Sequence, residues 1–201
     1  MSKKKNPKGS YGYVKAERKR RLLLTLLLFA IPLLIFFSGL IYNGTRNNIL
    51  TVVAILGCLP ACKELVNVIM FLKRRSMPQA MYQEIEAHAG SLVRAYELVF
   101  TTYEKNYPVH SLVVRGQEIA GYTTLKNTDL RPLQEHIAKT LKENGISGVH
   151  VHIFPDLKAY LDRVDALAGR EPEEIPFTPD ERYPELGREE LIRKLVLALS
   201  L

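Results

Sequence analysis

Cysteine is scarce in this chain. Only Cys58 and Cys62 occur in 201 residues, and both lie in an apolar stretch. They cannot cross-link a soluble domain, so a disulfide framework is excluded, and metal binding by these thiols would need further ligands that no neighbouring residue offers. Four residues apart on a helix, the two side chains share one face, where cysteines in apolar surroundings mostly act as small packing groups.

Motifs that mark catalytic or nucleotide-binding sites are also missing. The glycines at Arg115-Gly116 and at 145–148 fall at turns, and the latter lack the lysine and helix start of a phosphate loop. Ser91 and Ser111 have no histidine and acid pattern that would activate a nucleophile. The sequence therefore predicts no catalytic residue and no cofactor. The isolated helical acids are typical of solvated faces: Glu135, Asp162 and Asp165.

Two apolar stretches, Leu22–Tyr42 and Ile49–Leu72, dominate the first third of the chain. The first has about twenty uncharged residues, which at about 1.5 Å per residue match a hydrocarbon core of about 30 Å. Pro32 is no objection, because neighbouring groups in a bilayer can satisfy the freed carbonyl. The first stretch is too long for a signal peptide, and a second follows at once. We predict a retained transmembrane hairpin over residues 22–72.

The second stretch is interrupted by Lys63 and Glu64. One interpretation is a single tilted helix over Ile49–Leu72, kinked at Pro60, with the charged pair near the headgroups or on the face between the helices. The other is a shorter span that ends near Cys62 and continues as an interfacial helix. A charge at depth costs several kcal/mol, but the cost is smaller when the side chain snorkels to the headgroups, so the first interpretation is favoured.

Basic residues flank the hairpin on both outer sides. Residues 1–21 carry nine Lys and Arg against Glu17 alone, the loop Asn43–Asn48 has only Arg46, and residues 73–75 are all basic. By the positive-inside rule, both termini are predicted to be cytoplasmic in a multi-pass protein of the cell membrane. Asn43-Gly44 predicts the turn. Short loops and the compact hairpin favour a bacterial membrane.

The net charge of +7 belongs to the membrane-flanking segments. Residues 76–201 hold 14 Lys and Arg against 19 Asp and Glu, so no specific nucleic-acid binding is expected. The 1–21 tail, with Tyr11 and Tyr13 among its lysines, could suit RNA or anionic lipid. A disordered topology determinant beside the headgroups is the simpler interpretation.

A soluble domain is predicted over residues 76–169. Its elements, in order, are a helix after Pro78, strands within Leu92–Tyr103, Val109–Arg115 and Ile119–Thr124, a helix after the N-cap candidates Asn127-Thr128-Asp129, a strand at Val149–Phe154, and a helix opened by Pro155 and Asp156. Residues 170–187 read as a linker rich in proline and acid. The spacing of apolar residues in 188–201 predicts an amphipathic helix with Leu191, Leu195 and Leu199 along one face.

The predicted fold is therefore a membrane hairpin plus a small α+β domain of order α-β-β-β-α-β-α. An antiparallel meander, with one or two helices over a face, is expected. This order resembles the core of the restriction-endonuclease-like (PD-(D/E)xK) fold. That family has an acid on the second strand and Asp/Glu-x-Lys on the third. Here the second strand has no acid, Lys126 lacks the carboxylate two residues before it, and Glu118 sits at the turn. The resemblance therefore implies an inactive member, because the carboxylates that would bind metal ions for phosphodiester hydrolysis are missing.

His150 and His152 alternate on one strand and so point to the same side. Such a pair could bind Zn²⁺ if a third ligand came from His110 or His136. A polar, solvated strand face is the favoured interpretation, and no metal site is predicted.

The leading hypothesis is a membrane-anchored, non-enzymatic interaction or scaffold protein. Its expected partners are the lipid bilayer and either another protein or a second copy of the chain. One alternative is a small subunit of a transport or other membrane complex, with Lys63 and Glu64 at an intramembrane site. Another is a metal-dependent hydrolase that uses His150 and His152.

Overall fold

The computed structural model describes residues 6–72, 74, 76–102, 105–171, 175–177 and 183–201. These residues form six helices and one four-stranded mixed sheet. They divide into two compact units. Residues 14–72 and 74 make up the first, called the hairpin. Residues 6–13 and the described part of 76–201 make up the second, called the domain.

The hairpin consists of α1, Tyr13–Asn43, and α2, Ile49–Leu72. Both are long and apolar enough to cross a membrane, by length and composition. The helix α1 begins nine residues before Leu22, so much of the basic segment that was predicted to be disordered is helical. The helix α2 runs unbroken through Pro60. The prediction of one continuous helix is confirmed.

Small residues bring α1 and α2 together. The buried positions recur every seven residues in each helix: Thr25, Pro32 and Gly39 in α1, and Ala54, Ala61 and Val68 in α2. A seven-residue repeat keeps one face towards the partner helix, and small side chains let the backbones approach. A Cβ atom on Gly39 would lie 2.7 Å from the Cβ of Leu50. Larger apolar side chains, such as Leu23 and Leu34, remain exposed.

Polar groups close both ends of the hairpin. At the turn, Gly44 adopts a φ of 65°, as the Asn-Gly pair predicts, and Asn48 Oδ1 accepts a hydrogen bond from the amide of Thr51 at 2.9 Å. At the other end, Arg18 Nη2 donates to the carbonyls of Leu72 at 3.3 Å and Arg74 at 2.7 Å. A cation at these carbonyls stabilises the helix C-terminus.

The domain has the predicted order of elements. These are α3 (Gln79–Ala89), β1 (Val93–Thr101), β2 (Asn106–Arg115), β3 (Glu118–Tyr122), α4 (Arg131–Glu143), β4 (His150–Phe154), α5 (Leu157–Ala168) and α6 (Arg188–Leu199). The sheet order is β1-β2-β3-β4. The first three strands are antiparallel neighbours, joined between β2 and β3 by the predicted tight turn, and β4 is parallel to β3.

Helices cover both faces of the sheet, where the sequence predicted cover on one face. The helices α4 and α6 pack on one face through Leu133, Ile137 and Ile192. The helices α3 and α5 pack on the other through Ile85 and Val164. The interior strand β2 is therefore covered on both sides, and every residue from Val109 to Arg115 is buried.

Two local predictions differ from the structure. The helix α4 is preceded by Leu130 without a side-chain cap, and Asp129 instead accepts from the Arg131 amide at 3.0 Å. In α6 the buried residues are Leu191, Ile192 and Val196, with Leu195 and Leu199 partly buried beside them. The packing direction of α6 is rotated towards Ile192 because it lies against both the sheet and α4. The predicted linker falls partly outside the described residues.

Candidate functional site

In both β1 and β2, the regular alternation of side chains between the two faces of the sheet is interrupted, and the two interruptions lie side by side. Ala95 and Leu98 on β1, and Val109 and Leu112 on β2, all belong to the core beneath α4 and α6. Regular strands place every second residue on one face, whereas these pairs are three apart. The pairing register continues unchanged because both strands shift together. The shift coincides with Glu97, whose φ of 55° is the single positive value at a non-glycine residue in the described chain.

The Glu97 carboxylate is buried, with 7% of the residue exposed. Its Oε1 accepts hydrogen bonds from the Ser76 hydroxyl and from the Met77 amide, the latter at 3.2 Å. Met77 is fully buried. A buried carboxylate is tolerated when hydrogen bonds compensate its lost hydration. Because Ser76 and Met77 directly follow the hairpin in sequence, Glu97 fixes the chain where it enters the domain.

Tyr96, the preceding residue, binds the segment on the other side of the hairpin. Its amide donates a hydrogen bond to the carbonyl of Gly9 at 2.8 Å. Gly9 adopts a φ of 83°, and a Cβ atom there would collide with the side chain of Leu197, so glycine is required on both counts. Lys8 Nζ donates to the Ser200 carbonyl at 2.5 Å. Residues 6–12 thus lie against the domain and are ordered by it, contrary to the predicted disorder.

Aromatic rings continue this contact. Tyr11 stacks on Tyr82 with a centroid distance of 4.2 Å, and Tyr82 meets Tyr96 edge to face at 5.2 Å. The Tyr96 hydroxyl donates to Glu86 Oε2 at 2.5 Å, and Glu86 Oε1 accepts from Arg94 at 2.5 Å. Burial, and then the hydrogen bond to Glu86, raise the pKa of Tyr96 well above its usual range. The phenol therefore stays a hydrogen-bond donor.

We name the five residues Gly9, Ser76, Met77, Tyr96 and Glu97 the junction site. Consecutive residues of one strand hold the chain just before the hairpin and the chain just after it. The polar groups described above are paired with other groups of the same chain. This arrangement joins both segments that flank the hairpin to one strand of the domain.

A second polar group of side chains lies beside the junction site. His110 is buried, and its Nε2 lies 3.2 Å from Thr124 Oγ1. Burial lowers the pKa of His110, against the opposing effect of the Glu97 charge, so the imidazole is neutral near neutral pH. Ser111 Oγ is 2.8 Å from the Tyr160 hydroxyl. Burial raises the pKa of Tyr160, which keeps this pair as a neutral hydrogen bond.

The structure leaves His150 and His152 together on β4 but brings no third metal ligand to them within the described residues. His150 and His152 are exposed on β4, His110 is buried in β2, and His136 is partly buried on α4. Within the described residues, no three His, Cys, Asp or Glu side chains form a metal-binding group. The predicted alternation of side chains along β4 is confirmed, because His150 and His152 are exposed while Val151 between them is buried.

Glu118 lies in β3 rather than in the turn where the sequence placed it. Its carboxylate accepts hydrogen bonds from Arg163 and, at 2.7 Å, from Arg170. Partial burial would raise the pKa of Glu118, but the two arginines outweigh this and lower it. Glu118, His150 and Arg115 line a small pocket of about 120 Å³. The positive and negative side chains that line this pocket largely neutralise one another.

Sequence reasoning missed the junction site. The signals were present: Glu97 is a lone acid in the strand run AYELVF, and Gly9 and Gly12 bracket Ser-Tyr in a segment otherwise rich in lysine. Neither signal identifies its partner, because Glu97 lies 21 residues from Ser76 and Gly9 lies far from both. Only the folded chain brings these residues together.

Comparison with known proteins identifies no family for this chain. The chain matches no protein-family model, no curated protein and no solved structure. The resemblance to the restriction-endonuclease-like core therefore rests on the order of elements alone, and the junction site rests on its geometry.

Proposed function

We propose that this chain is a membrane-anchored, non-enzymatic interaction protein. In this proposal the hairpin crosses the membrane twice and holds the domain at the cytoplasmic surface, where it binds a protein partner. The observation that carries the proposal is the junction site, in which Tyr96 binds Gly9 and Glu97 binds Ser76.

The junction site supports a two-crossing topology. Residues 6–13 and the described part of 76–201 belong to one compact unit, and a folded unit lies on one side of a bilayer. The intervening chain must then cross an even number of times, as two helices do. The basic residues at both outer flanks favour the cytoplasmic side.

The domain is connected to the hairpin on both sides, through residues 6–13 and through the chain that begins at Ser76. The domain region, with 14 basic and 19 acidic residues, is also repelled by an anionic membrane surface. Its position near the membrane in this proposal therefore depends on its chain connections to the hairpin rather than on charge attraction.

The edge of β4 is the surface that we propose for the partner. The opposite edge of the sheet is occupied, since Phe100 of β1 pairs with Ser200 near the C-terminus and Tyr96 binds Gly9. Among the described residues, β4 pairs with β3 alone, and it carries the exposed His150. An open edge strand can accept an extended segment of another protein through main-chain hydrogen bonds.

Site-specific photo-crosslinking of the full chain in native membranes tests this proposal. A photoreactive residue at His152 should give a discrete adduct with one protein. The same residue at Lys139, exposed on α4, should give none. An adduct of similar yield at both positions, or none at His152, would contradict the assignment of β4. Resistance of the chain to carbonate extraction is the separate test of anchoring.

A further inference from the structure

A pocket of about 600 Å³ opens on the hairpin. It lies where the basic residues of α1 give way to the apolar run. Its polar lining is Arg20, Arg21, Glu64 and Asn67, and its apolar lining includes Leu23 and Leu27. Charged groups at one end and leucines at the other match the two parts of an amphiphilic molecule.

The cationic groups of this pocket share one acid. Arg20 Nη2 and Arg21 Nε both donate to Glu17 Oε1, at 2.7 Å and 3.1 Å. The side chain of Arg20 is 64% exposed, so its guanidinium can also reach a ligand. Guanidinium groups bind phosphate oxygens through paired N–H donors. A phosphate is the anion that this end of the pocket fits.

Glu64 narrows the choice of headgroup. Its Oε2 accepts from Asn67 Nδ2 at 3.0 Å, and its Oε1 lies 3.9 Å from Arg21 Nη1. A purely anionic headgroup would meet this carboxylate unfavourably. A primary ammonium would donate hydrogen bonds to it, and a quaternary choline has no N–H to donate. The charges therefore complement a headgroup that carries both a phosphate and a primary ammonium.

The leucines extend the pocket along the helix. Leu27 follows Arg21 by six residues, which is about 9 Å along the axis of α1. This distance takes a bound molecule from the headgroup level into the apolar layer. Leu23 is 69% exposed and Leu27 is 57% exposed, so both present apolar surface to an acyl chain.

We propose that this pocket binds one aminophospholipid, with its phosphate on Arg20 and Arg21 and its ammonium on Glu64. The proposal rests on the membrane insertion proposed above. Phosphatidylethanolamine supplies this headgroup, whereas phosphatidylcholine lacks the N–H donors and phosphatidylglycerol lacks the cation. Comparing lipids that have these three headgroups and identical acyl chains separates the contribution of the phosphate from that of the ammonium.

Native mass spectrometry of the full chain in detergent measures the lipid that each molecule retains. We expect one phosphatidylethanolamine per chain, preferred over each of the other two lipids by about fivefold, the upper end of what one exposed ion pair contributes. Preference for phosphatidylglycerol, or equal retention of all three, would overturn the proposed headgroup. Carbonate extraction is run in parallel: a chain that resists extraction but shows no preference refutes the lipid site while leaving membrane anchoring intact.

Two variants assign the contacts. Glu64→Gln should abolish the preference for phosphatidylethanolamine over phosphatidylcholine, and Arg20→Gln should reduce the retention of all three lipids. Lys19→Gln removes the same charge from an exposed neighbour outside the pocket and should retain lipid as the unmodified chain does. Equal losses in Arg20→Gln and Lys19→Gln would show general charge attraction and overturn the site. An unchanged preference in Glu64→Gln would overturn the role of its carboxylate.

Discussion

Glu97 accepts a hydrogen bond from the hydroxyl of Ser76, the residue 21 positions earlier that opens the domain after the hairpin. The bond accompanies a backbone conformation that side chains rarely adopt, with φ of 55° at Glu97. Such conformations persist where surrounding structure fixes them, and they concentrate at functional sites. Here the unusual backbone turns a charged side chain out of the strand alternation and towards the incoming chain.

Replacing Glu97 should reveal both its hydrogen bonds and its backbone strain. Glu97→Ala leaves two donors without their acceptor and should lower the free energy of unfolding by about 2–3 kcal/mol. Glu97→Gly loses the same bonds but accepts a positive φ without penalty, so it should be about 1 kcal/mol less destabilising than Glu97→Ala. Urea unfolding of the full chain in detergent, followed by near-ultraviolet circular dichroism of the tyrosines, measures both. If Glu97→Gly were the less stable variant, the strain account would be wrong.

Gly9 should resist substitution more than Gly12. Both have positive φ, 83° and 81°, so alanine strains the backbone equally at each position. At Gly9 the new methyl group would also collide with Leu197, whereas at Gly12 the nearest contact is Asn6 Nδ2 at 3.3 Å. Gly9→Ala should therefore increase hydrogen exchange at the Tyr96 amide much more than Gly12→Ala does.

The Leu197→Ala change provides the control for Gly9. It removes the atoms that the new methyl group would meet, so the double variant should recover much of the protection that Gly9→Ala loses. Equal exchange in the Gly9→Ala and Gly12→Ala variants would mean that residues 6–12 are not held against α6.

His110 should make the domain sensitive to mild acid. Its pKa in the folded chain is lowered below the ordinary value of 6.5, so the unfolded chain binds a proton more readily. The free energy of unfolding is then undiminished above pH 6.5, and it falls as the pH drops through the lower pKa of His110 in the folded chain. His110→Gln should flatten this dependence when urea midpoints are compared between about pH 7.5 and about pH 5.5.

Glu118 acts in a separate range of pH. Its folded pKa is lowered from 4.5, so its stabilising contribution is present above 4.5 and is lost as the pH falls through the folded value. An unchanged slope above pH 5 in His110→Gln would therefore assign the acid sensitivity to groups other than His110.

Val151 and His152 test the two faces of β4. Val151 is buried with 7% exposure and packs in the core beneath α4 and α6, while His152 is exposed. Val151→Asp places an unpaired carboxylate in that core and should cost about 3 kcal/mol or more. His152→Asp should change the free energy of unfolding by less than about 0.5 kcal/mol. Similar losses in both variants would contradict the orientation of the strand.

Local patterns predicted most of the fold. The four-residue spacing of Leu133, Ile137 and Leu141 in the sequence is typical of one helix face, and these are the residues that α4 buries; the alternation of Val149–Phe154 predicts β4. These features depend on neighbouring residues, which the sequence shows directly. The second layer of helices depends on the orientation of α3 and α5 over the sheet, which helical periodicity does not determine.

The junction site lay beyond local patterns for the same reason. The carboxylate of Glu97 could as well have faced solvent, and the basic composition of residues 1–21 favoured disorder. Its contacts join three segments that are remote in sequence, so each segment alone gives no sign of the others.

The same-side arrangement of the two chain ends is tested most directly by topology reporters on the full chain. A reporter active only in the cytoplasm should work when fused at Met1 or Leu201. A reporter active only after export should work within Asn43–Asn48. Activity of the exported reporter at Leu201 together with the cytoplasmic reporter at Met1 would place the chain ends on opposite sides, and the junction site could not then exist in the membrane.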